Sequence, residues 1–156
     1  MNLSKQIAQQ FKAVHFGGNW TDVNLKDTLE GLNYKQATQK VFTFNTVAAL
    51  AYHINYYVHI VMKVLEGQSL DGSDKFSFNV PEINSEAEWE ALKNRAFSEA
   101  EKFSALIEKI PENKYEEIFA EEKYGNYYKN IHGIIEHCHY HLGQIVLIKK
   151  IILENN

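Results

Sequence analysis

The chain has 156 residues, of which 45% are hydrophobic and 23% are charged. This length is typical of one domain with a substantial core, so we expect a single domain over residues 1–156. The net charge of −4 argues against a nucleic-acid-binding protein, which usually carries a basic face.

Cysteine usage and hydropathy indicate a compartment. The lone Cys138 cannot form an internal disulfide, which is typical of a reducing environment. The N-terminal segment has charges and glutamines where a signal peptide needs an apolar core. No apolar run approaches the roughly 18 residues of a membrane-spanning helix. We therefore expect a cytoplasmic protein with neither a membrane nor a nucleic acid as partner.

The first long helix is predicted over residues 3–15. Its apolar side chains recur every three or four residues, at Leu3, Ile7, Phe11 and Val14. Gly17 and Gly18 end it, because consecutive glycines break helical periodicity. His15 falls at the frayed end of this helix, where we expect it to be solvated.

A short helical turn follows, centred on Leu25 and Leu29. Either Asn24 or Thr21 suits its N-cap, since both side chains can accept a hydrogen bond from the first turn. Trp20 lies in the same connection. It either covers one mouth of the core, as a pocket residue, or packs as an ordinary anchor.

The second long helix is predicted over residues 46–66, with Asn45 as its N-cap and Gly67 as its stop. Its apolar stripe consists of Val47, Leu50 or Ala51, Ile54, Val58, Val61 and Leu65. His53 lies at the edge of this stripe. His59 is rotated about 120° from His53 by helical geometry, so the two are not expected to share a site.

Residues 67–84 form the longest stretch without periodicity, and their Gly, Ser, Asp and Pro residues predict a loop. Such a loop is either functional or crosses from one end of a bundle to the other. Phe76 and Phe78 are expected to tuck onto the core or a partner subunit. Ser85 and Glu88 then form a capping box that opens a third long helix, which Pro111 closes. Its buried face is predicted to be Trp89, Leu92, Ala96, Phe103, Leu106 and Ile110.

The last helix begins near Asn126 and extends to the C-terminal region. Its apolar stripe steps by three and four residues through Ile134, Cys138, His141, Ile145, Ile148 and Ile152. Strand signals are nearly absent from the chain. Four long helices joined by short turns and one long loop predict an all-α protein, a four-helix bundle with a long crossover loop.

Histidines in this last helix suggest a metal site. His137 and His141 are four residues apart, so they are neighbours on one helical face, whereas His139 is rotated about 160° from His141. His53 is the best candidate for a third donor. Three neutral imidazoles can hold a divalent ion and leave one position open, and imidazole alone does not select among Zn, Ni and Fe.

Neighbouring residues have competing interpretations. Cys138 is either a ligand or nucleophile or, as we favour, a small packed hydrophobe. Gln144, three residues after His141, can steady an imidazole or a bound water molecule. Tyr56 and Tyr57 either line a pocket or pack in the core. The remaining histidines, His132 and His139, are expected at the surface or at a subunit contact.

The run from His137 to Ile145, HCHYHLGQI, resembles the HxxxHxGQ signature of the DinB/YfiT-like superfamily. The segments LAYHINYY and NWTDVNLKDTL resemble that family's first ligand region and early connection, and the helix order matches over essentially the whole chain. The resemblance implies a four-helix bundle, often a homodimer, with a divalent metal held by His53, His137 and His141. Family members include thiol S-transferases and proteins described as metal-dependent hydrolases.

Three functions follow from these observations. The first is a metalloenzyme that activates a low-molecular-weight thiol or, as a hydrolase, water for reaction with a small-molecule substrate. The thiol version is favoured because the motif lacks the Glu that follows the first His in HExxH proteases. The second is a non-catalytic, metal-stabilised binding or sensing module. The third is a helical protein in which the histidines are polar core residues and no metal binds.

Overall fold

The computed structural model describes residues 2–154, and this part of the chain is helical. It contains α1 (Leu3–Phe16), α2 (Leu25–Leu29), α3 (Tyr34–Thr38), α4 (Val47–Leu65), α5 (Glu86–Ile107) and α6 (Tyr127–Glu154). Short 3₁₀ turns cover Asp74–Phe76, Glu112–Glu116 and Glu122–Tyr124. Among the described residues the only strand-like pairing is one isolated bridge, between Ile118 and Asn126. The all-α prediction is confirmed.

The four long helices pack against one another in the manner of a bundle. Helix α4 contacts both α5 and α6, and α1 contacts the same two helices from the other side. Asn55 of α4 donates to Glu99 of α5, and Glu66 just beyond α4 pairs with Lys102 further along α5. The contact at the end of α4 is made to a residue later in α5, so the two helices run parallel. The loop over residues 67–84 therefore returns the chain to the opposite end, as the crossover prediction required.

Apolar faces of all four long helices meet in one core. The predicted stripe of α6 is buried along its whole length, from Ile134 to Ile152. Phe11 of α1 packs edge-to-face on Phe103 of α5, with ring centroids 4.8 Å apart. Trp89 is fully buried, and its indole N–H donates to the Leu32 carbonyl at 2.8 Å. Burial of each such side chain contributes about 1.5–3 kcal/mol, so the bundle stabilises the helices that carry the site.

Helix caps confirm some boundaries and correct others. Asn24, not Thr21, caps α2, and Ser85 caps α5 by accepting from the Glu88 N–H. The proposed cap Asn45 is wrong by one residue, because the Thr46 side chain accepts from the first turn of α4. Helix α3 was not foreseen, since it has five residues and too little periodicity to show a stripe. None of the described helices is both long enough and apolar enough to cross a bilayer.

His15 is buried, so the expectation that it is solvated was wrong. The last turn of α1 does not fray but packs into the core, where the His15 ring lies 4.5 Å from that of Phe11. The Nδ1–H donates to the Phe11 carbonyl at 3.1 Å. Burial lowers the pKa of His15 to about 4, so this imidazole is neutral at pH 7.

Candidate metal centre

Two helices bring three imidazoles together. His53 lies in the middle of α4, and His137 and His141 lie one turn apart on the facing side of α6. The Nε2 atoms of His53 and His137 are 3.1 Å apart, and one ring nitrogen from each of the three residues lies within 4.8 Å of the others. Within residues 2–154 this is the only group of three or more side chains with that ligand spacing.

Hydrogen bonds orient two of the rings. The Nδ1–H of His53 donates to the Ser77 carbonyl at 3.2 Å, and the Nδ1–H of His141 donates to Gln144 Oε1 at 2.7 Å. Each bond assigns the ring proton to Nδ1 and leaves the Nε2 lone pair unprotonated. Gln144 thus occupies the position expected of a residue that steadies an imidazole, as an outer partner of a metal ligand does.

The third ring is the one with an unmatched nitrogen. His137 Nδ1 is buried and has no hydrogen-bond partner among the described residues. Because His53 carries its proton on Nδ1, its Nε2 can only accept, and His137 must donate from Nε2 if a proton joins the pair. A divalent cation can replace that proton and draw both lone pairs to one point.

Spacing of the nitrogens fits such a cation. Zinc binds imidazole nitrogen at about 2.0–2.1 Å, which places two nitrogens of a tetrahedral site about 3.3 Å apart. The observed 3.1 Å between His53 and His137 is close to this value. The three-histidine cluster is therefore compatible with a divalent metal ion, and the donor set alone does not select which one.

Burial keeps the cluster neutral. Desolvation, reinforced by the neighbouring His141 and His53, lowers the pKa of His137 to about 4. Desolvation also lowers the pKa of His53 and of His141. Neutral imidazoles have the free lone pair that a metal requires, so at pH 7 the cluster is in its ligating form.

The crossover loop supplies one wall of the site. The Phe78 ring stacks on His53 at a centroid distance of 3.8 Å, and Tyr57 of α4 lies edge-on to both His53 and His137. The Tyr57 hydroxyl donates to Asp74 Oδ1. Burial and this bond raise the pKa of Tyr57 to about 12, so the phenol is protonated. Sequence reasoning missed Asp74, for which the only signal was the length of the loop.

Two other predicted pocket residues lie away from the cluster. Tyr56 faces the cavity between α4 and α5, and its hydroxyl donates to the Ser73 carbonyl at 2.9 Å. Trp20 is 100% exposed, so it neither covers the core nor anchors it. The reason is a turn built around Asn19, whose amide donates to the carbonyls of Ala13 and Val23 and directs the next residue outward.

The remaining candidates have ordinary roles. His59 pairs with Glu99 at 3.1 Å, which confirms that it does not share a site with His53. The Cys138 thiol is buried, and burial raises its pKa to about 12, so it is a packed hydrophobe rather than a nucleophile. His132 and His139 are half-buried outside the cluster.

A cavity of about 450 Å³ opens beside His137, between α4, α6 and the crossover loop. Its wall is formed by Tyr57, Ile60, Val61, Leu70, Gly72, Ser73, Asp74, Phe119, Tyr124, Lys129, Asn130, Gly133, Ile134 and His137. The volume is in the range that small-molecule sites occupy. The cluster therefore borders a space large enough for a small molecule.

Comparison of the chain with protein-family models, with curated proteins and with solved structures gave no match in any of the three. What the site can do is therefore argued from its own geometry.

Proposed function

We propose that the chain, as a single domain over residues 1–156, is a metal-dependent enzyme of the DinB/YfiT-like kind. His53, His137 and His141 are the proposed ligands of a divalent ion, Zn, Ni or Fe. The observation that carries the proposal is the convergence of these three imidazoles from two helices, with the His53 and His137 Nε2 atoms 3.1 Å apart. Three protein ligands leave a coordination position for a small molecule, which is typical of a catalytic site rather than a structural one.

When bound, the ion lowers the pKa of a coordinated thiol or water molecule and so makes it a nucleophile near neutral pH. Protein groups orient the ligands and accept the released proton. Ser77 and Gln144 hold the His53 and His141 rings with Nε2 turned inward. The Tyr57–Asp74 pair accepts the proton that the nucleophile releases: the Tyr57 oxygen takes it, and the phenol proton passes to the Asp74 carboxylate.

A low-molecular-weight thiol is the preferred nucleophile. The cavity beside His137 has an apolar wall, formed by Ile60, Val61 and Ile134 among others, that can hold the carbon body of a thiol. Water needs no such wall. In this version the thiolate sulfur bonds to the carbon of an electrophile and the leaving group departs with its electron pair. The hydrolase version, in which water takes the place of the thiol, uses the same proton acceptor.

The test starts from untagged protein. Elemental analysis should find about one equivalent of a divalent metal, and the loaded protein should conjugate 8-mercaptooctanoate to 1-chloro-2,4-dinitrobenzene with release of chloride. His141→Ala should lose both metal and activity. His132→Ala, a change to a half-buried histidine outside the cluster, is the matched control. Full activity of His141→Ala would exclude the metal mechanism.

A non-catalytic, metal-stabilised binding or sensing module is the alternative. It is favoured by the fact that the proposed ligands come from two helices, so an ion would cross-link α4 to α6. This alternative expects metal at one equivalent, a large fall in Tm on chelation, and no turnover of any thiol–electrophile pair.

Association into a homodimer is a further part of the proposal, taken from the family resemblance. Light scattering coupled to size exclusion tests it directly. A single species at the mass of one chain would remove the dimer and leave the metal site unaffected.

A further inference from the structure

The cavity beside His137 extends along α6 from His137 to Lys129. His137 lies at one end, Ile134 lies one turn earlier in the middle, and Lys129 lies two turns earlier at the other end. Eight residues of helix span about 12 Å at 1.5 Å per residue. On α4, which faces α6, Tyr57 lies beside His137 and Val61 lies one turn further from it. A ligand that reaches from the histidine cluster to Lys129 must therefore span about 12 Å.

Charge differs between the two ends. The cluster end carries Asp74, which accepts the Tyr57 hydroxyl hydrogen bond. The far end carries Lys129, which forms no ion pair with a carboxylate in the described range 2–154. By contrast, nearby Lys123 is paired with Glu121 at 3.0 Å. A ligand anion is repelled at the Asp74 end and attracted at the Lys129 end, which fixes its orientation.

The Lys129 side chain passes close to the backbone of Gly125. Gly125 has φ +79°, and a Cβ atom built there would lie 3.0 Å from Lys129 Cδ. The lysine stem thus runs close against the backbone at position 125, in space that the glycine leaves free. Lys129 is exposed, and it lies in the wall of the cavity.

Between the two ends the wall is apolar. The side chains that form it are Ile60, Val61, Leu70, Phe119 and Ile134. Each methylene group buried against such a wall strengthens binding about fourfold. The middle of the ligand is therefore a hydrocarbon chain or another apolar body.

We infer that the cavity binds an amphiphilic carboxylate, with its reacting group beside His137, an apolar body in the middle, and its carboxylate at Lys129. The identification of the reacting group as a thiol rests on the proposed function, whereas the carboxylate contact does not. At about 1.2 Å per bond of extended chain, a separation of about 12 Å corresponds to about ten bonds. Lys129 is thus a binding residue that selects substrates by charge and length.

Titration calorimetry with two matched probes tests this inference. The probes are 8-mercaptooctanoate and its neutral analogue 8-mercapto-1-octanol, each titrated into zinc-loaded and into metal-free protein at low salt. The acid should bind about two- to fivefold more tightly than the alcohol, the range expected of one exposed ion pair. High salt should shrink this preference, because it screens the pair. The shorter 3-mercaptopropionate should bind more weakly than the octanoate.

Variants then locate the contact. Lys129→Gln should abolish the preference for the acid, and Lys129→Arg should keep it. Lys123→Gln is the control, because that lysine is engaged with Glu121 and should not matter. An unchanged preference in Lys129→Gln would overturn the inference, as would failure of the octanoate to bind either form of the protein. Absence of zinc from the loaded sample would instead refute the proposed function, while the Lys129-dependent preference of the metal-free protein would still stand.

Discussion

His15 should make the free energy of unfolding fall at acidic pH. Its pKa is lowered from 6.5 to about 4 in the folded protein, chiefly by burial and further by the nearby His139. Between these values the unfolded chain binds the proton and the folded chain does not, so the free energy of unfolding falls as the pH is lowered. Above about pH 7.5 His15 is neutral in both states and adds no pH dependence.

The size of the effect follows from the two pKa values. Linkage gives a loss of about 1.4 kcal/mol at pH 5.5 and about 2.5 kcal/mol at pH 4.5, approaching about 3.4 kcal/mol well below pH 4. Stability of a domain is commonly 5–15 kcal/mol, so this is a substantial fraction. The predicted loss comes from one side chain.

Urea denaturation of wild type and of His15→Gln, from pH 7.5 to 4.5 and with chelator present in both, measures this quantity. The other histidines are present in both proteins, so the difference between the two unfolding free energies reports His15 together with its interaction with His139. We expect the wild-type advantage to shrink by about 2.5 kcal/mol over this range. A difference that stays constant within about 0.5 kcal/mol would refute the buried, neutral state of His15.

Four further outcomes are expected. Chelation of metal-loaded protein should lower Tm by roughly 5–11 °C if the free metal stood at 100 times its Kd, and scanning calorimetry with His141→Ala, which should show no chelator effect, checks it. Tyr57→Phe should reduce thiol conjugation by about 10²-fold or more with zinc content unchanged, because the ring stays and the proton acceptor is lost; equal kcat values would remove the Tyr57–Asp74 relay. Ser85→Ala should cost about 1 kcal/mol in urea denaturation by removing the cap of α5, whereas Ser85→Asp should restore it. Phe103→Ala should cost about 3–5 kcal/mol, since this ring is fully buried against Phe11, and a cost below 1 kcal/mol would contradict the described core.

The helices and the histidine cluster were accessible from the sequence because both depend on helical periodicity. The stripe from Ile134 to Ile152 is buried as predicted, and it places His137 and His141 on the side of α6 that faces α4. The position of His53 on the edge of the α4 stripe gave the third member. In each case a spacing of three or four residues determines which face a side chain occupies.

Contacts made by loops were not accessible in the same way. Asp74 reaches Tyr57 only because residues 67–84 fold back over α4, and no periodic pattern reports such a return. The prediction that Trp20 covers or anchors the core was wrong because the exposure of Trp20 depends on the side-chain hydrogen bonds of Asn19. The prediction that His15 is solvated was wrong because the end of α1, which the sequence suggests is frayed, is covered by tertiary packing. Tertiary contacts decided the positions of Asp74 and His15, whereas side-chain hydrogen bonds within a local turn decided that of Trp20.

Two adjacent tyrosines of α4 fasten the crossover loop from different sides of the helix. Tyr56 faces α5 and forms a hydrogen bond with Ser73, whereas Tyr57 faces α6 and forms one with Asp74. Consecutive residues of one helix therefore hold consecutive residues of one loop. A molecule lodged between α4 and α5 that pulls on Tyr56 would also pull on Asp74. Binding on one side of α4 would then alter the position of Asp74 on the other side, because the two contacts are made by adjacent residues.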